Sequence, residues 1–222
     1  HNSATSDAIT TAADGTCTAR ITGMTGGGGL SHRNLIINGA MQVAQRGQSS
    51  TSSSYQTVDR FITGIAISNE NPTQSQHTLT SSDTGPYEEG FRFSYHITNG
   101  NQTSPNLAAN NIYIRQRIEA QNVAQSGWNY TSSSSFITLQ FWVKSSVAQN
   151  FYGYLRTADG TSQRYAFETG SLSANTWTKI TKTIPGNSNL QIDNNNENGL
   201  DVVIIPFWGT DQTDPSVPLN AW

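Results

Sequence analysis

Four histidines, one cysteine and fifteen carboxylates are the side chains of this sequence with the means to do chemistry. His1, His32, His77 and His96 never fall at the i, i+2 or i, i+4 spacing that puts two imidazoles on one metal. Cys17 stands alone, which excludes an intrachain disulfide or a thiolate zinc cluster, and a lone thiol of this kind is more often buried than displayed. No G-x-S-x-G elbow offers a serine nucleophile, and no G-x-x-x-x-G-K run offers a phosphate cradle. Glycoside hydrolysis needs two opposed carboxylates that can be distant in sequence. The adjacent Glu88 and Glu89 would point to opposite faces of a strand and read as a solvated loop. Glu119 has Arg115 and Arg117 close by and reads as an ion-pair partner rather than a catalytic acid. No catalytic residue is therefore expected. The run Asp193-Asn194-Asn195-Asn196-Glu197-Asn198-Gly199 is rich in oxygen ligands of the type calcium takes, with Asp193 and Glu197 as the charged pair. Its spacing does not match a helix–loop–helix calcium loop, and an Asn-rich turn is the favoured reading.

Binding is better provided for than reaction. Sugars are held by flat aromatic faces, with amides and carboxylates reading their hydroxyls. The segment Gly127-Trp128-Asn129-Tyr130 places two aromatics among polar residues, and Tyr152 and Tyr154 share one face of an alternating stretch. Trp128, Tyr130, Tyr152 and Tyr154 are the candidate glycan-contact residues. The competing role for the same rings is to cap a sheet edge or to lie between subunits.

These side chains have to be positioned by strands. Phe91 to Ile97, Ile112 to Arg117 and Ile137 to Lys144 alternate apolar and polar residues, as half-buried strands do. Further strands are expected over Phe151–Arg156, Arg164–Glu168, Trp177–Ile184 and Leu200–Phe207, and an apolar pattern runs from Val58 to Ile67. Asn34 to Gly39 is a short apolar run closed by an Asn-Gly turn signal. Gly, Pro, Asn and Ser fill the intervals, and no 3.6-residue period persists over three turns. The fold class is all-β, a jelly-roll β-sandwich.

Composition agrees. Charged residues make up 12% and hydrophobic ones 34% of 222 residues, with a net charge of -3; hydroxyl and amide side chains fill the gap. A slightly negative chain with no Lys/Arg cluster is not expected to neutralise nucleic-acid phosphates. No apolar run approaches a membrane span and no signal-peptide pattern is present, so membrane insertion is not expected. Residues 1–33 differ from the remainder. They form an arm with at most one strand around Thr16–Ile21, then a Gly26–Gly29 hinge, and the sandwich follows over 34–222. An ordered arm must pair its backbone with something, in a fibre with a neighbouring subunit; a disordered tail is the alternative. Both ends look like cuts in a longer polypeptide.

The run from Asn34 to Gly47, followed by Val58-Asp59-Arg60-Phe61, resembles the opening of a family of bacteriophage tail-fibre and virion structural proteins, common in phages of aquatic bacteria and cyanobacteria. Ile114 to Glu119, Leu139 to Ser146, and Asn175 to Ile180 leading to Thr183-Ile184-Pro185-Gly186 are similar to later blocks of the same family. The Phe141-Trp142-Val143-Lys144 strand and the Trp177 block also resemble carbohydrate-binding jelly rolls attached to glycanases, which implies a galactose-binding-like sandwich. The resemblance implies a non-enzymatic module on the virion surface. It implies a homotrimer, with other virion proteins reached through the arm and a bacterial surface polysaccharide as the ligand. A capsid decoration protein without ligand and a module of a secreted glycanase are the alternatives. Within the matching blocks, Asp59 and Arg60 are expected to pair and brace the start of the sandwich, and Arg115 and Arg117 to share a strand face and meet carboxylates. Trp142 is core if both faces of its strand are covered and a sugar platform if one is open; core is favoured, and more so for Trp177.

Overall fold

The computed structural model describes Ile9–Thr11, Cys17–Ala19 and residues 34–222. Its strands in chain order are β1 (Ile9–Thr11), β2 (Cys17–Ala19), β3 (Ser49–Ser50), β4 (Phe61–Ala66), β5 (Thr73–Thr78), β6 (Phe93–Thr98), β7 (Asn111–Glu119), β8 (Phe136–Val143), β9 (Asn150–Thr157), β10 (Arg164–Ser171), β11 (Thr178–Pro185) and β12 (Asn198–Trp208). One turn of helix, α1 (Ala120–Ala124), follows β7 directly. No described helix is long and apolar enough to cross a membrane. The chain is all-β and sandwich-like, as its alternation requires.

One layer is a five-stranded antiparallel sheet in the order β10-β9-β12-β7-β4. The facing layer comes in two pieces, the pair β11-β8 and the trio β3-β5-β6. Phe141 of β8 packs on Phe167 of β10 with ring centroids 6.3 Å apart, so β8 and β11 cover the β9–β10 half. Tyr95 of β6 lies 6.0 Å from Phe61 of β4, so the trio covers the other half. The main core is Ile118, Leu155, Phe167, Ile184 and Leu200, closed by Trp128, Leu190 and Ile192 at one end.

Within the trio β6 falls on the Phe91–Ile97 alternation, but β5 was not visible in the hydrophobic pattern, because it reads Thr-Gln-Ser-Gln-His-Thr. Its inward residue Gln74 is fully buried and accepts hydrogen bonds from Thr57 Oγ1 at 3.2 Å, Thr63 Oγ1 at 3.1 Å and Tyr95 Oη at 2.7 Å. Its amide donates to the Ser52 carbonyl. A buried amide is tolerated where every polar atom finds a partner, and here one glutamine serves as the hub of a small polar core.

Asn34 to Gly39 is not a strand. Leu35 and Ile36 pack on the main core, and the buried Gln116 holds the Ile37 backbone in both directions, at 2.9 and 2.8 Å. The Asn-Gly turn is real: Asn38 takes φ 58°, and its side chain donates to the Val43 and Asp59 carbonyls. The arm also departs from expectation. Cys17–Ala19 has its partner in Ile9–Thr11 of the same chain, so two strands pair where at most one was expected. The Gly26–Gly29 hinge, His1, His32 and the burial of Cys17 lie outside the described residues.

Candidate binding face

Side chains alternate across the five-stranded sheet, and its outward side can be assembled row by row from the strand register. One row reads Arg164, Arg156, Asp201, Arg117 across β10, β9, β12 and β7. The next reads Ala166, Tyr154, Val203, Arg115, Ile62, reaching β4. A third begins Glu168, Tyr152, Ile205. Val203 and Ile205 are buried although they face outward, because taller neighbours cover them. The result is an apolar floor flanked by aromatic rings and guanidinium groups.

Tyr152 and Tyr154 stand on this face together, as their i, i+2 spacing requires. Tyr152 is 51% exposed, a large ring left open to solvent. Tyr154 stacks on Trp208 with centroids 5.8 Å apart and planes 22° from parallel, and Arg164 lies 5.9 Å above its ring. Burial pushes the Tyr154 phenol up, which keeps it a neutral hydrogen-bond donor. Trp208 was missed in the sequence for a definite reason. By simple alternation it belongs to the opposite face from Val203 and Ile205. A bulge between Ile204 and Phe207, at Pro206, which has no N–H to give the ladder, shifts the parity and turns the indole outward.

Trp128 and Tyr130 do not join them. Trp128 is 6% exposed, its indole donates to the Ser135 carbonyl at 3.3 Å, and its ring meets Tyr130 edge-on at 6.3 Å. Tyr130 is half-buried and donates to the Ile192 carbonyl at 3.2 Å. Both close the end of the core, so neither offers a free face for a sugar.

The bracing residues also fall differently. Asp59 and Arg60 do not pair with each other. Asp59 meets Arg46 at 3.4 Å, while Arg60, in the left-handed region at φ 75°, turns toward Glu119 at 3.8 Å. Glu119 is therefore taken by Arg60 rather than by Arg115 or Arg117. Arg117 lies 3.9 Å from Asp201, whose other oxygen accepts from Arg156 Nε at 3.0 Å and from Nη2 beside it.

Trp142 and Trp177 are half-buried, outside the main core, and neither is an open platform. The β5–β6 connection, residues 79–92, folds over them. Trp142 donates to Glu89 at 3.0 Å, and Trp177 donates to Asp83 at 2.9 Å. Gly85 is required there: at φ 94° a Cβ on it would sit 2.7 Å from the Trp142 ring. Asp83 also accepts from Lys144 at 2.8 Å and from the Thr80 backbone at 3.1 Å. The Lys144 ammonium first, then the Trp177 indole and the Thr80 amide, hold its carboxyl well below the ordinary 3.8. A depressed carboxyl stabilises the fold fully above its unfolded value and loses that contribution as pH falls through the folded one. Asp83→Asn should therefore cost about 2 kcal/mol at neutral pH, the scale of hydrogen bonds to a charged group. The gap from wild type should narrow only below pH 3.8, which parallel urea titrations at pH 7 and pH 3 would check.

The Asp193–Gly199 run has an internal role. The Glu197 and Asn195 carbonyls accept from the Ala120 and Gln121 amides, capping α1. The Asp193 amide donates to Asp159 at 2.8 Å. Among the described residues no three His, Cys, Asp or Glu side chains gather as a metal group.

No family model matches the sequence. None of the curated proteins compared with it is similar enough to count as a match. Among solved structures, the chain is similar to the bacteriophage CBA120 tailspike protein 4 enzymatically active domain, with a TM-score of 0.44 and 11% identity. The similarity covers 79% of this chain and 20% of that one, so the chain spans about a fifth of the solved protein's length.

Proposed function

We propose that this chain is a bacteriophage tail-fibre or virion module that contacts a host-surface glycan, without cleaving it, through the outward side of its five-stranded sheet. The observation that carries the reading is the aromatic pair on that side: an open Tyr152 next to a Tyr154 braced by Trp208. A braced ring loses little freedom when a sugar stacks on it, and Arg156 and Arg164 stand beside it to donate to hydroxyl oxygens. The phage setting rests on the Asn34–Gly47 and later blocks described from the sequence. The carboxylates of this face support binding without hydrolysis. Asp201 is enclosed by Arg156 and Arg117, and Glu168 accepts from Asn150 at 2.6 Å, so neither stands as a free acid opposite a free base. In a homotrimer, several weak sites would act together through raised effective concentration.

A glycan microarray carrying bacterial surface oligosaccharides, followed by titration of the best binder, tests this. Tyr154→Ala and Tyr152→Ala should each lower affinity at least about tenfold, the scale of losing a contact residue worth more than 1 kcal/mol. Their thermal unfolding should stay close to wild type. A correctly folded protein that binds nothing on the array would leave only a structural virion role. Release of reducing ends from a bound polysaccharide would overturn the non-catalytic part.

A further inference from the structure

We infer that the β4–β7 end of this face is a subsite for a carboxylate, so that the glycan recognised is an acidic one carrying a uronic acid. The inference rests on the glycan reading above and specifies its ligand.

Charge is the first ground. The chain carries -3 overall, yet Arg115, Arg117, Arg156 and Arg164, four of its twelve basic residues, project from one side of one sheet. Asp201 answers Arg156 and Arg117, and Asp214 lies 3.5 Å from Arg164. Arg115 has no ion-pair partner among the described residues. Its Nε is buried and makes no hydrogen bond. With no carboxylate holding it, the half-buried guanidinium keeps its outer amino groups for an incoming oxygen.

Shape is the second ground. Arg115 and Arg117 line a groove of about 420 Å³ together with Tyr55, Ile62, Gly64 and Tyr113. The segment before β4 forms the outer wall: Ser54 bridges Thr63 in both directions, at 2.8 and 3.3 Å, fixing Tyr55 beside the groove. Gly64 is needed because the Tyr113 ring lies flat across it, and a Cβ there would fall 2.2 Å from the ring carbons. The Arg115 guanidinium in turn sits 5.5 Å from the Tyr113 centroid. Its fork is thus oriented before any ligand arrives, and a planar carboxylate matches that fork in two parallel hydrogen bonds. Arg115 and Tyr154 flank Val203 in one row, about 10 Å apart at two strand spacings, so one oligosaccharide reaches both.

The test uses the full chain with glucuronate- and galacturonate-containing oligosaccharides, their carboxyl-reduced counterparts, sulfated analogues and polyphosphate. The acidic form should bind at least about tenfold more tightly than its reduced partner. Arg115→Gln should lower affinity for the acidic form far more than for the reduced form, closing most of that difference, and Arg115→Lys should restore only part of it. Gly64→Val, which displaces Tyr113, should act like Arg115→Gln. Thermal unfolding of each variant separates a lost site from a lost fold. Equal affinity for acidic and reduced sugars, or no effect of Arg115→Gln, would overturn the inference. If Tyr154→Ala still abolished binding in that case, the glycan reading would stand without it. Sulfated sugars binding as tightly as uronates would overturn the carboxylate assignment. Polyphosphate binding as well as any sugar would reduce the groove to a general polyanion patch. Failure of every saccharide, acidic or reduced, would remove both readings.

Discussion

Trp128→Ala is expected to lower the unfolding free energy by about 3–5 kcal/mol, the range for truncating a fully packed aromatic, while glycan affinity of the folded protein stays at the wild-type value. The indole is 6% exposed and belongs to the cluster of Ile118, Leu155, Phe167 and Leu200. Removing it opens a void that the β-layers on either side cannot collapse to fill, because their spacing is set by other contacts. Tyr130 would lose the ring it packs against, and the Ser135 carbonyl would lose its donor. Trp128→Phe keeps most of the volume and loses only that hydrogen bond, so about 1–2 kcal/mol is expected. Equilibrium urea unfolding, followed by tyrosine or far-ultraviolet signals rather than by the deleted indole, gives both numbers. A loss below 1 kcal/mol for the alanine variant would mean the ring is not core, and the sugar-contact role would then return to it.

The burial of Trp128 shows what alternation can and cannot convey. Tyr152 and Tyr154 were legible as neighbours because period-two geometry is local to one strand. Trp128 sits in a connection, where neighbouring Gly, Asn and Ser make the segment look solvated; its burial comes from Leu190 and Ile192, more than sixty residues on. Trp142 was assigned to a face, but core was favoured for it and for Trp177, and both are half-buried outside the main core. What covers them is the 79–92 connection, held by Asp83 and Glu89, and no pattern within β8 or β11 announces it.

The larger elements were legible where burial is apolar. β7, β8, β9, β10, β11 and β12 all fall within a few residues of their apolar alternation. β5 was not, because its one buried residue is Gln74, whose acceptability depends on Thr57, Thr63 and Tyr95 arriving from elsewhere. Assembly of the binding face was hidden for a related reason. Trp208 reaches Tyr154 only through the bulge at Pro206, and Arg115 reaches the same row only because β12 lies between β9 and β7. Strand order is a property of the whole chain, so Tyr152 and Tyr154 were legible as a pair, Arg115 only within its own strand, and Trp208 not at all.

Asp201 carries the other large effect. It is fully buried at the centre of a row of three arginines, with Arg156 Nε at 3.0 Å, Arg117 at 3.9 Å and the Asn198 amide donating to its second oxygen at 3.1 Å. Removing one partner of a buried charge pair leaves the other uncompensated, at about 3–5 kcal/mol. Asp201→Ala should fall below that range, at about 2 kcal/mol, because the arginines it leaves, Arg156 and Arg117, are 30% and 47% exposed and keep water as a partner. Asp201→Asn keeps the shape and an acceptor and should be milder. Arg156→Ala strands the fully buried carboxylate with only Arg117 at 3.9 Å and Asn198 at 3.1 Å, so its effect should exceed that of Asp201→Ala. A double-mutant cycle on Asp201 and Arg156 should give a coupling above 1 kcal/mol, which chemical denaturation resolves. Raising the salt concentration should change it little, because ions screen exposed pairs far more than enclosed ones. Binding should fall together with stability here, unlike at Trp128: without Asp201 nothing fixes Arg156 beside Tyr154, and the face loses the order that lets a sugar stack without first arranging its own site.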